Sequence, residues 1–422
     1  MHKKKTRFII CLIAILISCP VFSQSDGLKD KAIKAADNQN YPKAIKLLHK
    51  ALNNNPNDKE IYYYLGYYYH YNAYDSRPLA GYNSAYSDTV FHYLEKALKI
   101  DPDYGNAQYF YTAECGAAIS QAIRTRDYGK IKHFYQKAAD IGGFPPWAEE
   151  FAKTMLSQVE PDGIFITMGD FTFNLCRYLQ VCKNYRNDIT VIAWGFLNRP
   201  YYILDLKNGE SRRNIKIDLT EEQIMDMHPY KWDTLTVNIN VPAELNIKYG
   251  LDTNHKMDWT ISPDLQGGRS YLSCETAIIL SLIESNNWQR PVFIQSGIAK
   301  NIMPGIHNNV QKYGLVDKLM PFDTGSNQWQ YNVESLEKMI SGNVIRDYNT
   351  IIETNQPRVS GLVLYSYFKS LKYLADHYKS SGRVSKIDDI LKCYTSRLQI
   401  GLLPDYEKKF YSELKNIKKG TK

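Results

Sequence analysis

The chain has 422 residues, 44% apolar and 23% charged, too many for one small core and ordinary enough in balance to imply two or three folded domains. Its formal charge is +8, but half of that excess sits at Lys3, Lys4, Lys5 and Arg7, in a segment expected to be removed. The remainder is too weak and scattered to argue for a nucleic-acid partner.

Residues 1–23 read as a signal peptide. Lys3–Arg7 form a positive start, Phe8 to Ile17 an apolar stretch too short to span a bilayer, and Pro20 breaks the helix before Val21-Phe22-Ser23. Cleavage is expected before Gln24, which places the protein in the periplasm or cell envelope. A competing pattern, Leu16-Ile17-Ser18-Cys19, fits a lipobox, so a membrane is a partner only if Cys19 is lipidated. Beyond the leader the cysteines are Cys115, Cys176, Cys182, Cys274 and Cys393. Their spacings match no zinc or redox motif, and free thiols are expected. If Cys176 and Cys182 share a helix, about 9 Å of rise keeps them from bridging.

Residues 24–158 carry an internal repeat. Ala44, Leu48, Ala51 and Pro56 recur in spacing as Val90, Leu94, Ala97 and Pro102, and again as Ile131, Tyr135 and Ala138. Tyr62, Leu65, Gly66 and Tyr69 precede the second set. The spacing predicts paired antiparallel helices, with small residues at Gly66 and Ala97 allowing close approach and proline ending the second helix. These residues resemble the tetratricopeptide repeat family. A Tyr- and Ser-rich insertion, around Tyr71–Ser87, interrupts the second repeat. In that family the first helix of each repeat lines a concave groove. Carried over, the groove positions are Glu60, Tyr63, Tyr67, His70 and Tyr71. The chain has 34 Tyr against 15 Phe and 6 Trp, and tyrosines of this kind grip an extended peptide or stack on sugar rings. That they instead pack against the next domain stays open.

Residues 159–305 read as a small α/β domain with a mostly parallel sheet. Gly163–Thr167 and Ile189–Trp194 are buried strands flanking a helix through Leu175, Tyr178 and Leu179. Asn198 to Leu206 is helical or looped, Leu235-Val237-Ile239 suits a hairpin or edge strand, and a helix over Cys274–Glu284 leads to a strand at Val292–Gln295. Residues 306–422 read as a C-terminal helical segment, with Ser360–Lys379 its longest helix.

Short motifs run through this part in order: T-x-G-D at Thr167–Asp170, Y-L-Q at Tyr178–Gln180, L-N-x-x-x-Y-I at Leu197–Ile203 and N-N-W-x-R-P at Asn286–Pro291. Together with Tyr313-Gly314-Leu315 they resemble the soluble C-terminal part of bacterial membrane proteins similar to protein O-mannosyltransferases, over about residues 160–410. The resemblance implies an accessory soluble portion, since glycosyl transfer in that family is expected in a multi-pass membrane part that this sequence lacks. The family loop after Gly-Asp tends to hold a second acid, where this chain has Phe171 and Thr172.

No catalytic motif, metal-ligand spacing or cofactor fingerprint stands out, and no cofactor is expected. Gly169, Asp170, Asn198 and Arg290 are candidates for a ligand loop. Asp170 follows a buried strand, where open α/β sheets place ligands, and Asp205, Asp264 or Glu275 are possible carboxylate partners. The competing reading makes Asp170 a helix cap and Arg290 a structural ion pair beside Trp288. Asp88-Thr89-Val90 and Asp233-Thr234-Leu235 fit an Asp-Thr-aliphatic pattern for O-glycosylation at Thr89 or Thr234. The function expected is a non-enzymatic, exported binding or scaffold protein, accessory to glycan or glycoprotein assembly, that holds a protein partner in the repeat groove. The alternatives are carbohydrate binding by the Tyr-rich surface and glycan chemistry at Asp170.

Overall fold

Residues 25–75, 87–209, 214–263, 271–297, 305–325, 328–341, 350–351, 357–397 and 405–419 are described by a computed structural model. Residues 1–24, on which the expected leader and Cys19 fall, the heart of the Tyr/Ser-rich insertion and Asp264 lie outside them. The chain divides into two units. One comprises residues up to Gln121 with Lys137–Gly143, and the other Ala122–Gln136 with everything from Phe144.

The first unit is a run of helical repeats: α1 (25–37), α2 (Tyr41–Asn54), α3 (Lys59–Asp75), α4 (Ser87–Ile100), most of α5 (Ala107–Arg124) and the end of α6 (Tyr128–Asp140). Helix α2 shows why these segments fold as they do. The Asn40 side chain accepts from Lys43 N–H at 3.2 Å, Pro42 sits in the first turn, and Ala44, Ile45, Leu48 and Ala51 form its buried stripe. Pro56 follows the helix end, as Pro102 follows α4. Ala44, Leu48, Ala51, Val90, Leu94 and Ala97 have no exposed surface, so the recurring spacing marks the core. A Cβ on Gly66 would lie 2.6 Å from the Leu94 side chain, which is why α3 and α4 need glycine at that crossing.

The second unit is built on a five-stranded sheet. Helix α7 (Pro146–Gln158) precedes β1 (Ile164–Thr167), α8 (Asp170–Lys183) and β2 (Thr190–Ala193). After β2 come α9 (Pro200–Asn208), α10 (Glu221–Met225), the short β3 (Tyr230–Lys231), β4 (Leu235–Asn240), α11 (Ala243–Tyr249), β5 (Lys256–Ile261) and β6 (Tyr271–Leu272). Strands β4 and β5 pair antiparallel with Val237 opposite Trp259 and Ile239 opposite Met257, the hairpin expected there, while β3 pairs with β6. Helix α12 (Cys274–Asn286) leads into β7 (Val292–Gln295), followed by the hairpin β8 (Val310–Lys312) and β9 (Val316–Leu319).

The sheet order is β2-β1-β7-β9-β8. Strands β2, β1 and β7 are parallel, and β9 runs antiparallel to both its neighbours, so four of the five strands share one direction. Each of β1, β2, β7 and β9 is buried along its whole length, the signature of strands covered on both faces. The hairpin at 310–319 extends the sheet past residue 305, into the part that the sequence reading assigns to the C-terminal segment. That segment otherwise comprises α13 (Val333–Ser341), α14 (Pro357–Ser380), α15 (Ile387–Arg397) and α16 (Asp405–Lys419), with Tyr367 of α14 meeting Phe151 of α7 edge-on at 5.5 Å.

Among the described residues no cysteine forms a disulfide, and Cys176 and Cys182 both lie on α8. Among the described residues no helix is long and apolar enough to cross a membrane.

Candidate functional site

In the helical unit Tyr63, Tyr67 and Tyr71 stand one turn apart on α3, each half-buried. The Tyr63 and Tyr67 rings are stacked at 6.0 Å with 12° between planes, and Tyr67 meets Tyr71 at 4.8 Å. Packing holds the strip from behind: Tyr67 lies 4.6 Å from Phe110, Tyr63 5.5 Å from Tyr104, and Tyr71 5.9 Å from Tyr41. Burial and the neighbouring Tyr67 push the Tyr63 hydroxyl up to about 12, so it stays a donor at any ordinary pH. At the start of α3, Glu60 binds the Lys29 ammonium at 2.8 Å, with Asp58 and Asp26 each at 3.0 Å. Burial works against that ammonium, but the three carboxylates outweigh it and hold its pKa above the usual lysine range.

His70 goes elsewhere. It is 6% exposed, and its Nδ1 lies 2.8 Å from Oε2 of the fully buried Glu114. At about 100° per residue position 70 lies only about 60° round the helix from Tyr67, so spacing sets it beside the strip, and it is the contact with buried Glu114 that takes its ring out of the surface. His70 is thus an inner partner of the strip rather than part of its surface.

In the second unit the loop after β1 lies at the carboxyl edge of the sheet. The Met168 N–H donates to Gln295 Oε1 at 2.8 Å, tying the ends of β1 and β7 together. Gly169 caps α8 at φ +76, with no atom within 4 Å of where a Cβ would stand. Asp170 opens α8 and keeps contact with solvent. Protein nevertheless crowds it enough that desolvation raises its carboxyl above the usual aspartate range, with the Arg199 guanidinium pulling the other way. Asn198 is exposed in the turn after β2, and the buried Trp194 Nε1 nearby in that turn has no partner among the described residues.

Arg290 does not join this group. It precedes β7 while Asp170 follows β1, and these strands are parallel, so the two stand at opposite ends of a four-residue strand, about 13 Å long. There Arg290 acts structurally. Its Nε donates to Asp162 O at 2.8 Å, its Nη2 to Thr190 Oγ1 at 2.7 Å and Gly163 O at 3.2 Å, and it pairs with Asp162 Oδ1 at 3.1 Å. It thereby binds the starts of β1 and β2 to that of β7. Trp288 donates to Asn240 O at 3.0 Å. Other motif residues are also framework: Gln180 Nε2 donates to the carbonyls of Arg186 and Ile189, and Tyr202 Oη accepts the Ala193 N–H at 2.9 Å.

Of the carboxylates proposed to join Asp170, Asp205 is fully buried and accepts from Tyr128 Oη at 3.1 Å, and Glu275 lies in the first turn of α12. Among the described residues the charge that bears on Asp170 is Arg199, and no cluster of His, Cys, Asp and Glu suits a metal. Thr234 is exposed between β3 and β4, whereas Thr89 lies in the first turn of α4.

Sequence reasoning missed a cavity of about 500 Å³. Ser157, Gln158 and Glu160 at the end of α7, Tyr313 in the β8–β9 turn, and Asn332 and Lys338 around α13 line it. Gly314 allows this turn: at φ +127, a Cβ would clash with Met339 and come within 2.8 Å of Gln158 Nε2. Tyr313-Gly314-Leu315 was the available signal, but nothing in it tells a turn from a cavity wall.

No curated protein sequence matches the chain. Residues 148–228 and 207–337, which run from α7 through the sheet to the cavity-lining start of α13, match the family model of TMEM260-associated domain 2, and that stretch is similar to this domain.

Proposed function

We propose that the protein is a non-catalytic binding protein of the bacterial cell envelope whose tetratricopeptide-like array holds an extended segment of a partner protein along Tyr63, Tyr67 and Tyr71. The observation that carries this reading is the strip itself: three half-buried rings at one-turn spacing, buttressed by Phe110, Tyr104 and Tyr41, with hydroxyl donors and the Glu60 carboxylate at one end. Rings already fixed by packing lose little entropy on binding. The likeness to TMEM260-associated domain 2, with the motifs shared with O-mannosyltransferase-like proteins, supports a setting in glycoprotein assembly.

The test compares wild type with a Tyr63→Ala, Tyr67→Ala double variant in pull-downs from envelope extract, with circular dichroism to check folding. Proteins captured by wild type should be lost from the variant. A Tyr63→Phe, Tyr67→Phe variant keeps the packing and should retain part of the capture. Equal capture by wild type and the alanine variant would overturn the reading. A glycan array that lights up with wild type and fades with the alanine variant would move the ligand from peptide to carbohydrate. Catalysis at Asp170 has one observation in its favour, the raised carboxyl at the sheet edge. Against it, Asp205, a candidate for the second carboxylate that glycosidase chemistry needs, is fully buried and already accepts from Tyr128.

A further inference from the structure

Lys369 projects from α14 toward the turn that follows β7. A methyl group on Gly297, which has φ +89, would lie 3.2 Å from its Nζ. The ammonium is half-buried, and among the described residues it has neither a hydrogen-bond nor an ion-pair partner; the Tyr365 ring lies 5.7 Å away. Two other charges face it. Lys312 on β8 and Asp317 on β9 pair with each other at 2.6 Å through Asp317 Oδ2, and Asp317 Oδ1 is buried without a partner. Two ammoniums thus share one carboxylate, and one positive charge stays uncompensated in a partly desolvated place. Such a charge is costly unless something neutralises it. The lysine already registers that cost: burial lowers its pKa and Lys312 lowers it further, against the pull of Asp317. Neutral donors stand at the same turn, where Ser296 Oγ and Tyr373 Oη lie 3.5 Å apart and Lys312 Nζ sits 5.6 Å from the Tyr373 ring.

We propose that Lys369, Ser296 and Tyr373, with Lys312 behind them, bind a compact oxyanion, the carboxylate or phosphate group of a small acidic ligand, at the end of β7. The anion supplies the missing charge and the two hydroxyls donate to its oxygens. The place is the carboxyl edge of the parallel strands, where open α/β sheets bind ligands. It belongs to a different unit from the tyrosine strip, and the two readings stand or fall separately.

The test is competitive acylation of the full chain with acetic anhydride, at constant ionic strength, in chloride, inorganic phosphate or acetate. Modification is read by peptide mass spectrometry. Lys372 is the internal reference, one turn further along the helix, 45% exposed and 3.6 Å from Asp376. At an anion concentration ten times its Kd, acylation of Lys369 should slow about tenfold while Lys372 is unchanged. Protection by phosphate alone assigns a phosphoryl ligand, and by acetate alone a carboxylate. Equal slowing of both lysines, or none in either anion, overturns the proposal. So does calorimetric phosphate or acetate binding that persists in a folded Lys369→Gln variant.

Discussion

Asn286 grips both backbone groups of Arg290. Its Nδ2 donates to the Arg290 carbonyl at 2.8 Å and its Oδ1 accepts the Arg290 N–H at 3.2 Å. Between them Asn287 and Trp288 adopt consecutive left-handed conformations, φ +43 and +60, which non-glycine residues avoid without support. This clamp turns the chain from α12 into β7 and aims Arg290 at the starts of β1 and β2. Asn286→Ala leaves two backbone groups unsatisfied and should cost about 2–4 kcal/mol. Asn286→Asp restores the acceptor alone and should recover part of that. Urea denaturation followed by tryptophan fluorescence measures both, and an alanine variant as stable as wild type would refute the clamp.

Two glycines of the helical unit should respond to the same substitution with opposite signs. Gly66→Ala drives a methyl into Leu94, which has no exposed surface and nowhere to move, at a cost of about 1–3 kcal/mol. Gly27 lies within α1 with no atom within 4 Å of a new Cβ. There alanine should stabilise by about 0.5–1 kcal/mol through helix propensity. Thermal melts of the two variants decide it. A Gly66→Ala variant that melts with wild type would mean that α3 and α4 do not need their close approach.

The helical repeats were legible because their small and large residues recur at fixed spacing and the same positions are buried. Strands β1, β2 and β7 were legible as unbroken apolar runs. The β8–β9 hairpin was not, because Gln311, Asp317 and Lys318 interrupt its apolar residues, yet each is under 10% exposed. Their burial is sustained by long-range partners such as Glu160, which meets Lys318 Nζ at 2.5 Å across 158 residues of chain. The candidate site was half legible for a related reason. Strand order decides which ends meet, so Gly169, Asp170 and Asn198 fall on one edge of the sheet while Arg290, named with them, falls on the other. Nor does a tyrosine-rich stretch reveal that its histidine turns inward to a buried glutamate 44 residues away.

That glutamate gives a pH dependence. Burial raises the Glu114 carboxyl above its ordinary 4.5, and contact with His70 offsets only part of the shift. The folded chain therefore keeps a proton that the unfolded chain has already released. The contribution to stability is complete below pH 4.5 and is lost as pH rises through the folded value. Glu114→Gln abolishes this loss, so the variant should gain on wild type as pH rises from 4 toward 8. Urea midpoints across that range measure the difference. A wild type that instead gains on the variant with rising pH would show that His70 dominates the pair.

The two Asp-Thr-aliphatic tripeptides differ in how a modifying enzyme would meet them. Thr89 lies in the first turn of α4, and the following Val90 is fully buried in the repeat core, so presenting it requires unwinding the helix. Asp233 and Thr234 are exposed between β3 and β4, and Leu235 is 40% exposed, which leaves the tripeptide extended and open. Intact-mass measurement of the native protein should therefore show a glycan increment that Thr234→Ala removes and Thr89→Ala leaves in place. A bare polypeptide mass would dismiss the modification, and an increment lost only with Thr89→Ala would mean that this end of α4 opens in the cell.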